Sequence, residues 1–398
     1  MALSTLTFHQ PVRRTPPQTT SEFELRDQAI EHYAAGELDA AVHKTLLHLF
    51  GAAPTMEEIR RDGFRFVQGS SRVTMSIQGN EVTISVPLVR LPDGPTTTAA
   101  LRYLLSRASG SGQLHQPRLR ADDVRLEFRE ALERLHPVKL LEVLRGMPGA
   151  ADSADDWMIA QFGAVALDRE PAEALTAEEM ARALEIWRAH WQEIEELLKE
   201  VQRKRSVWFL NEVTSHARGN LRYLLPLTGF LPGRLNESAA LFNDSDADPT
   251  RREAALGKCI KEMRAIDEGM LRESLGHARY AISPMGEGTA RVIVHYFGPG
   301  NYSETIKRLR ASGKAMDAAL ALGSSFVSLL AHYAWPEDIA TRVRAALDEA
   351  SGRPFPEMAA ILTRHARDLV DYVESAEEDE DEDGGDEGDA AEAEGEAQ

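Results

Sequence analysis

Cysteine is nearly absent from this chain: Cys259 is the single thiol in 398 residues. That excludes an intramolecular disulfide framework and any cysteine-rich metal site, and it fits a reducing compartment. Lys258 and Lys261 beside it would lower the pKa of a reactive thiol, but the simpler expectation is a half-buried small side chain on a helix. Lysine is scarce as well, 8 residues against 37 arginines, a bias that reads as genomic base composition. The opening MALSTLTFHQPVRRTPP has no apolar h-region and no run that could cross a bilayer, so the expected setting is cytoplasmic, with no membrane partner. Net charge is −19, and 13 acids with no base fall in residues 377–398. Without those acids the remainder carries −6, a mildly acidic body that argues against a nucleic-acid partner.

Catalytic signatures are missing too. A phosphate loop needs a glycine five residues before its Gly-Lys pair, and Gly313-Lys314 has Arg308 there. Gly298-Pro299-Gly300-Asn301-Tyr302-Ser303 lacks the GxGxxG spacing, and its Pro and Asn suit a turn into a helix cap. Gly323-Ser324-Ser325 has no second glycine to complete a nucleophile elbow and reads as small residues at a helix contact. His43 and His48 are five apart, on different faces of a helix. His190 lies between Trp187 and Trp191 without a ligand partner at i, i+4, so an aromatic packing seam with a partly exposed imidazole is expected. The adjacent carboxylates Asp122-Asp123 and Asp155-Asp156 fall at expected turns or helix starts, where capping explains them better than acid–base work. No catalytic residue, metal ligand or cofactor is assigned, and the chain is not expected to be an enzyme.

What the sequence does contain is a β-meander at 64–91. Gly79-Asn80 suits a two-residue hairpin loop with glycine first, where a positive φ is needed. Placing the turn there pairs Ile77 with Val82, Met75 with Ile84 and Val73 with Val86, all apolar and on one face. Ser76 with Thr83 and Thr74 with Ser85 fall on the other. A slip of one residue would mix the two sets, so the pattern fixes the register of an antiparallel sheet covered on one side. Phe64 and Phe66 indicate a preceding strand, and Val124, Leu126 and Phe128 a later one at the end of a second hairpin over 113–128.

Around the meander the spacing is helical. One or two helices are expected over 22–50, with Leu38, Ala41, Val42, Leu46, Leu49 and Phe50 on or near one face. Others follow near 55–62, 98–108, 137–146 (opened by Pro137) and 152–162. From about 168 the chain becomes mainly helical. Thr176 and Glu179 form a capping box for a long helix over 177–205, with Trp187 and Trp191 in a helix–helix seam. Helices are expected at 206–224, 250–275, 302–333, 336–350 and 355–374. ARVIVHYF at 290–297 reads as a strand, hairpin-paired with 278–283, and 233–250 as a loop or linker. The expected fold class is thus α+β. Its segments are a disordered 1–21, an α+β domain over 22–167, a mainly helical domain over 168–375 with one short hairpin, and a disordered acidic tail over 376–398. The tail suits either simple solubilisation or the shielding of a basic surface.

The helix DAAVHKTLLHLFG at 39–51, the meander FRFVQGSSRVTMSIQGNEVTISV at 64–86, the strand VRLEF at 124–128 and PVKLLEVLRGMPGAADSADDWMIAQFG at 137–163 together resemble the type III secretion chaperone (Tir chaperone-like) fold, over residues 38–165. The resemblance implies a bacterial homodimer that binds extended segments of a client or partner protein on apolar surface. The sheet face Val73, Met75, Ile77, Val82, Ile84 and Val86 would be that surface, unless it is core. The expected function is non-catalytic protein binding. A scaffold or adaptor within a larger bacterial complex and an enzyme with a dispersed active site are the alternatives.

Overall fold

The computed structural model describes residues 3–14, 23–108 and 114–383. The fold is α+β. Helices α1 (Phe23–Ala34), α2 (Leu38–Phe50) and α3 (Met56–Asp62) lead into strands β1 (Phe64–Gly69), β2 (Ser71–Gln78) and β3 (Glu81–Arg90). Then come α4 (Thr96–Ala108), β4 (Gln116–Arg120), β5 (Asp123–Ala131), α5 (Pro137–Phe162) and β6 (Val165–Ala166). The helical half comprises α6 (Ala177–Lys204), α7 (Val207–Leu224), α8 (Phe230–Phe242), α9 (Pro249–Arg264) and α10 (Glu268–Glu273). It continues through the two-residue strands β7 (Arg279–Tyr280) and β8 (Gly286–Glu287), α11 (Ala290–Phe297), α12 (Asn301–Ala311), α13 (Ala315–His332), β9 (Tyr333–Ala334), α14 (Glu337–Ala350) and α15 (Phe355–Asp383).

The meander forms with the register its alternation dictates: Ile77 opposite Val82, Met75 opposite Ile84, Thr74 opposite Ser85 and Ser76 opposite Thr83, around Gly79 at φ +58°. The sheet order is β4-β5-β3-β2-β1-β7, antiparallel throughout, with β6 on the far end of β3. Helix α5 lies across β1, β2, β3 and β5 and carries α2 on its flank. Leu140, Leu144, Met147 and Met158 from α5 and Leu46 and Leu49 from α2 share one core with the sheet. Phe50 closes against Phe64 and Phe66 at ring-centroid distances of 5.0 and 4.9 Å. The six apolar residues of the meander are at most 2% exposed. They are core, not a client surface.

Several expectations are corrected. Pro148 does not separate two helices: α5 runs continuously from Pro137 to Phe162, and Asp155 and Asp156 lie well inside it, not at its start. Residues 290–297 are helix α11. Their V-I-V run reads as a strand, but Ala290, Ile293, Val294 and Phe297 also match helical spacing, and in eight residues the two periods compete. No hairpin forms there; β7 pairs with β1 instead. The expected loop over 233–250 holds α8, whose Leu231, Ala239 and Phe242 are buried at helical spacing that the Gly, Asn and Ser content hides. Helix α15 extends past the expected boundary at 375 to Asp383, and residues 384–398 lie outside the described residues. The first segment, expected to lack structure, is partly packed: Leu6, Phe8 and Val12 enter the helical core. Residues 1–2 and 15–22 of that segment are outside the described ones.

That strap, residues 3–14, is held by main-chain bonds at both ends. Val12 N donates to Leu224 O (2.8 Å) and Gly352 N to Leu6 O (2.8 Å), while Phe8 N donates to Ser351 Oγ (2.9 Å). Phe8 fills a notch over Gly323, where a Cβ would stand 2.5 Å from the ring. The small residues of Gly323-Ser324-Ser325 thus make the expected close contact, with the strap as one partner. Gly323 belongs to α13, the central helix of this half, packed by α7, α12, α14 and α15. α13 is long and apolar enough to cross a membrane by length and composition, and 72% of it is buried inside the structure.

Met75→Asp is expected to unfold the sheet core, because the carboxylate has no partner there; the cost is about 4 kcal/mol or more. Urea titration followed by circular dichroism checks it, and a folded, equally stable mutant would refute the core assignment. Gly323→Ala should gain about 1 kcal/mol of helix propensity yet displace Phe8. Limited proteolysis should then cut within residues 3–14 faster than in the parent protein.

Candidate ligand-binding site

An apolar concavity lies where the strap, α7, α8 and the 276–284 segment meet. On α7, Arg218, Leu221, Arg222 and Leu225 follow at i, i+3, i+4 and i+7, so they share a face. On α8, Pro232, Leu235, Ala239 and Phe242 do the same. Together with Trp191 and Tyr280 these side chains enclose about 610 Å³, within the range of small-ligand pockets. Five arginines line it (Arg13, Arg14, Arg218, Arg222 and Arg279) against one carboxylate, Glu173.

The arginines are not equivalent. Arg14 pairs with Glu173 (3.1 Å) and Glu179 (3.4 Å), and Arg279 with Glu170 (3.1 Å). Arg13 donates to the main-chain Arg222 O at 2.8 Å. Among the described residues no carboxylate comes within ion-pair distance of Arg13, Arg218 or Arg222. Burial, then the neighbouring Arg222, lowers the pKa of Arg13; burial, then Arg218, lowers that of Arg222. Guanidinium groups stay charged in such settings, so the cavity holds uncompensated positive charge in partly desolvated surroundings. The same field, after burial, holds His332 below the ordinary histidine range. Trp191 adds a further unmet demand: its Nε1 is buried without a hydrogen-bond partner.

Two other polar clusters were candidates. In the sheet half, Ser70 N donates to Asp152 Oδ1 (2.7 Å) and Ser70 Oγ to Asp155 Oδ2 (3.0 Å), while Arg169 reaches Asp156 at 2.5 Å and Asp155 at 3.9 Å. Gly69, at φ +65°, is required here, because a Cβ would lie 2.8 Å from the Asp152 carboxylate. Burial, reinforced by Asp156, pushes Asp155 up to about 7. This cluster fastens α5 to the β1–β2 turn. In the helical half, Ser324 Oγ, His216 and Glu193 form a chain, with Ser324 to Nδ1 at 3.5 Å and Nε2 to Glu193 at 3.0 Å. It has the residue types of a nucleophile relay. However, Ser324 is in the middle of α13, where its backbone N–H serves the helix and cannot stabilise an oxyanion.

The residues singled out from sequence fall as follows. Trp187 and Trp191 meet edge to face at 5.7 Å in the helical core, and Trp191 also lines the cavity. His190, expected to be partly exposed, is 2% exposed. Its Nε2–H donates to Ala217 O (3.1 Å), and burial, then His216, pushes it down to about 3. Cys259 is fully buried instead of half-buried, and burial raises its thiol to about 11. The sheet-face residues lie in a different core from the tryptophans. Sequence reasoning missed the arginines, which come from segments more than 200 residues apart; the arginine excess was the only trace of them. No family model, curated protein or solved structure matches this chain.

Asp155 sets a pH dependence with a definite sign. Its folded-state pKa of about 7 exceeds the ordinary 3.8, so the folded state holds the proton more tightly. Its contribution to stability is complete below pH 4 and disappears as pH rises through 7. Asp155→Asn should therefore gain more stability at pH 8 than at pH 5, by at most about 3 kcal/mol, the equivalent of roughly two pH units. Urea midpoints of both proteins across that range isolate this group from others that titrate there. An equal effect at both pH values would contradict the assignment.

Proposed function

We propose that this chain is a non-catalytic binding protein whose site is the arginine-lined cavity. Its partner is an extended segment of another protein that presents a carboxylate beside large apolar side chains. The reading rests on the three arginines without carboxylate partners at an apolar wall. A carboxylate ligand would supply the missing counter-charge, and charge-assisted, bidentate bonds to guanidinium are among the stronger polar contacts available. The strap supports a peptide over other ligands, since α7 in the cavity wall already holds this chain's own segment through the main-chain bond from Val12 N to Leu224 O. In taking an extended partner segment the protein would act as type III secretion chaperones do, though at a different surface. The cytoplasmic setting and the homodimer implied by that resemblance belong to the same proposal. A scaffold role fits the same cavity if the bound partner stays in place. The enzyme alternative has less support, because the backbone N–H of Ser324 in the Ser324–His216–Glu193 chain is committed to helix α13.

Panning a random peptide library on the immobilised full chain tests this. Wild type should enrich Asp, Glu or a C-terminal carboxylate next to Leu, Phe or Trp. Arg222→Glu, at a partly exposed position, should keep its circular dichroism melt and lose at least tenfold in affinity for the enriched peptides. Enrichment of neutral or basic peptides, or unchanged binding by the variant, would overturn the reading. Binding of decanoate with no peptide enriched would overturn the reading and reassign the cavity to a small amphiphile.

A further inference from the structure

A second cavity of about 720 Å³ lies elsewhere in the helical half, between α7, α11, α12 and α13. Its lining differs in kind from the first: Ser215, Tyr296, Tyr302, Ser324, Ser325 and Ser328 bring hydroxyls, and one carboxylate, Glu212, faces them. Both glycine-containing motifs left without a catalytic role, Gly298-Pro299-Gly300 and Gly323-Ser324-Ser325, border it. Gly298 admits no larger residue, since a Cβ would stand 2.6 Å from Val294 O.

Glu212 has no cation within ion-pair distance among the described residues, and burial alone raises it to about 7. The hydroxyls around it are oriented by their own bonds. Ser325 Oγ donates to Ala321 O (3.1 Å), so Tyr302 must donate to Ser325 across their 2.9 Å contact. The Tyr302 oxygen therefore faces outward from that bond as an acceptor. A carboxylate and a phenolic acceptor with two tyrosine rings beside them match an ammonium or guanidinium group, through charge-assisted hydrogen bonds and cation–π contact.

We infer that this cavity is a second, independent binding site, for a small organic cation bearing an amine or guanidinium group, with Glu212 as its counter-ion and Tyr302 as its hydrogen-bond acceptor. The other charged or titratable groups lining the cavity are Arg291, His295 and Tyr296 from α11 and Tyr302 from α12; α13 contributes only hydroxyls. Arg291 and His295 are exposed and sit outside ion-pair reach of Glu212.

Isothermal titration of the full chain with agmatine, spermidine and phenethylamine, with sorbitol as a neutral probe, tests the inference. At least one of the three cations should bind and sorbitol should not. Glu212→Gln, close to isosteric, should weaken that cation at least tenfold, while Arg222→Glu in the other cavity should leave its affinity unchanged. Affinity should fall toward tenfold per unit as pH drops below 7, and His295→Gln should keep that slope. Binding of none of the cations, binding of sorbitol, or equal cation affinity in Glu212→Gln would each overturn the inference.

Discussion

The structure turns on a buried amide. Gln68, 8% exposed on β1 beside the short edge strand β7, donates from Nε2 to Ile282 O (2.8 Å) and accepts at Oε1 from Ile282 N (2.9 Å). Beside it Ala281 N donates to Val67 O (3.0 Å), and Ile282 enters the sheet core. Each such bond contributes about 1 kcal/mol net, and the isoleucine roughly 1.5–3 kcal/mol. Their larger effect is geometric. They register the 276–284 segment against the sheet, and this segment carries Tyr280 and Arg279 to the wall opposite Arg218 and Arg222. Without that join neither half of the chain would hold the cavity's shape. Exposed pairs such as Arg72 with Asp168 (2.7 Å) run alongside and contribute little by themselves.

How much of this the sequence disclosed depends on the range of the signal. The meander was legible to the residue, because Val73, Met75, Ile77, Val82, Ile84 and Val86 alternate with polar partners and one slip would misplace every one of them. The capping box at Thr176 and Glu179 and the long helix after it were legible for the same reason: the pattern is local and repeated. Segment 290–297 misled because eight residues satisfy two periods at once. The strap misled because its three anchors, Leu6, Phe8 and Val12, are an alternation interrupted by Gln10 and find their partners more than 180 residues away. The cavity was invisible for a related reason. Arg13, Arg218, Arg222 and Arg279 mean nothing singly, and only the pairing of β7 with β1 and the docking of the strap bring them together. Asp155 and Asp156 looked like caps because separate helices were expected over 137–146 and 152–162, where α5 runs on without a break.

The two cavities express one principle with opposite signs. Desolvating an ion is expensive unless a partner of opposite charge accompanies it. In the first, the guanidinium groups of Arg13, Arg218 and Arg222, which cannot shed their charge, have no carboxylate within ion-pair distance among the described residues. In the second, a half-buried carboxylate that can take up a proton has no cation within ion-pair distance among the described residues. The first keeps its charge and so remains open to an anion at any ordinary pH. The second can rest neutral, and ionising it is part of the cost of occupying it. A chain that carries −19 overall thus reserves positive potential for an enclosed place, where solvent screens it least.

The strap also constrains the order in which the molecule can be made. Leu6 and Phe8 leave the ribosome more than 300 residues ahead of Gly323, Ser351 and Gly352, against which they lodge. The helical core therefore cannot close cotranslationally from its beginning. Until Gly323, Ser351 and Gly352 emerge, Leu6 and Phe8 wait for a surface that does not yet exist. Contacts spanning nearly the whole polypeptide slow the final collapse, and such a nascent chain is exposed to aggregation.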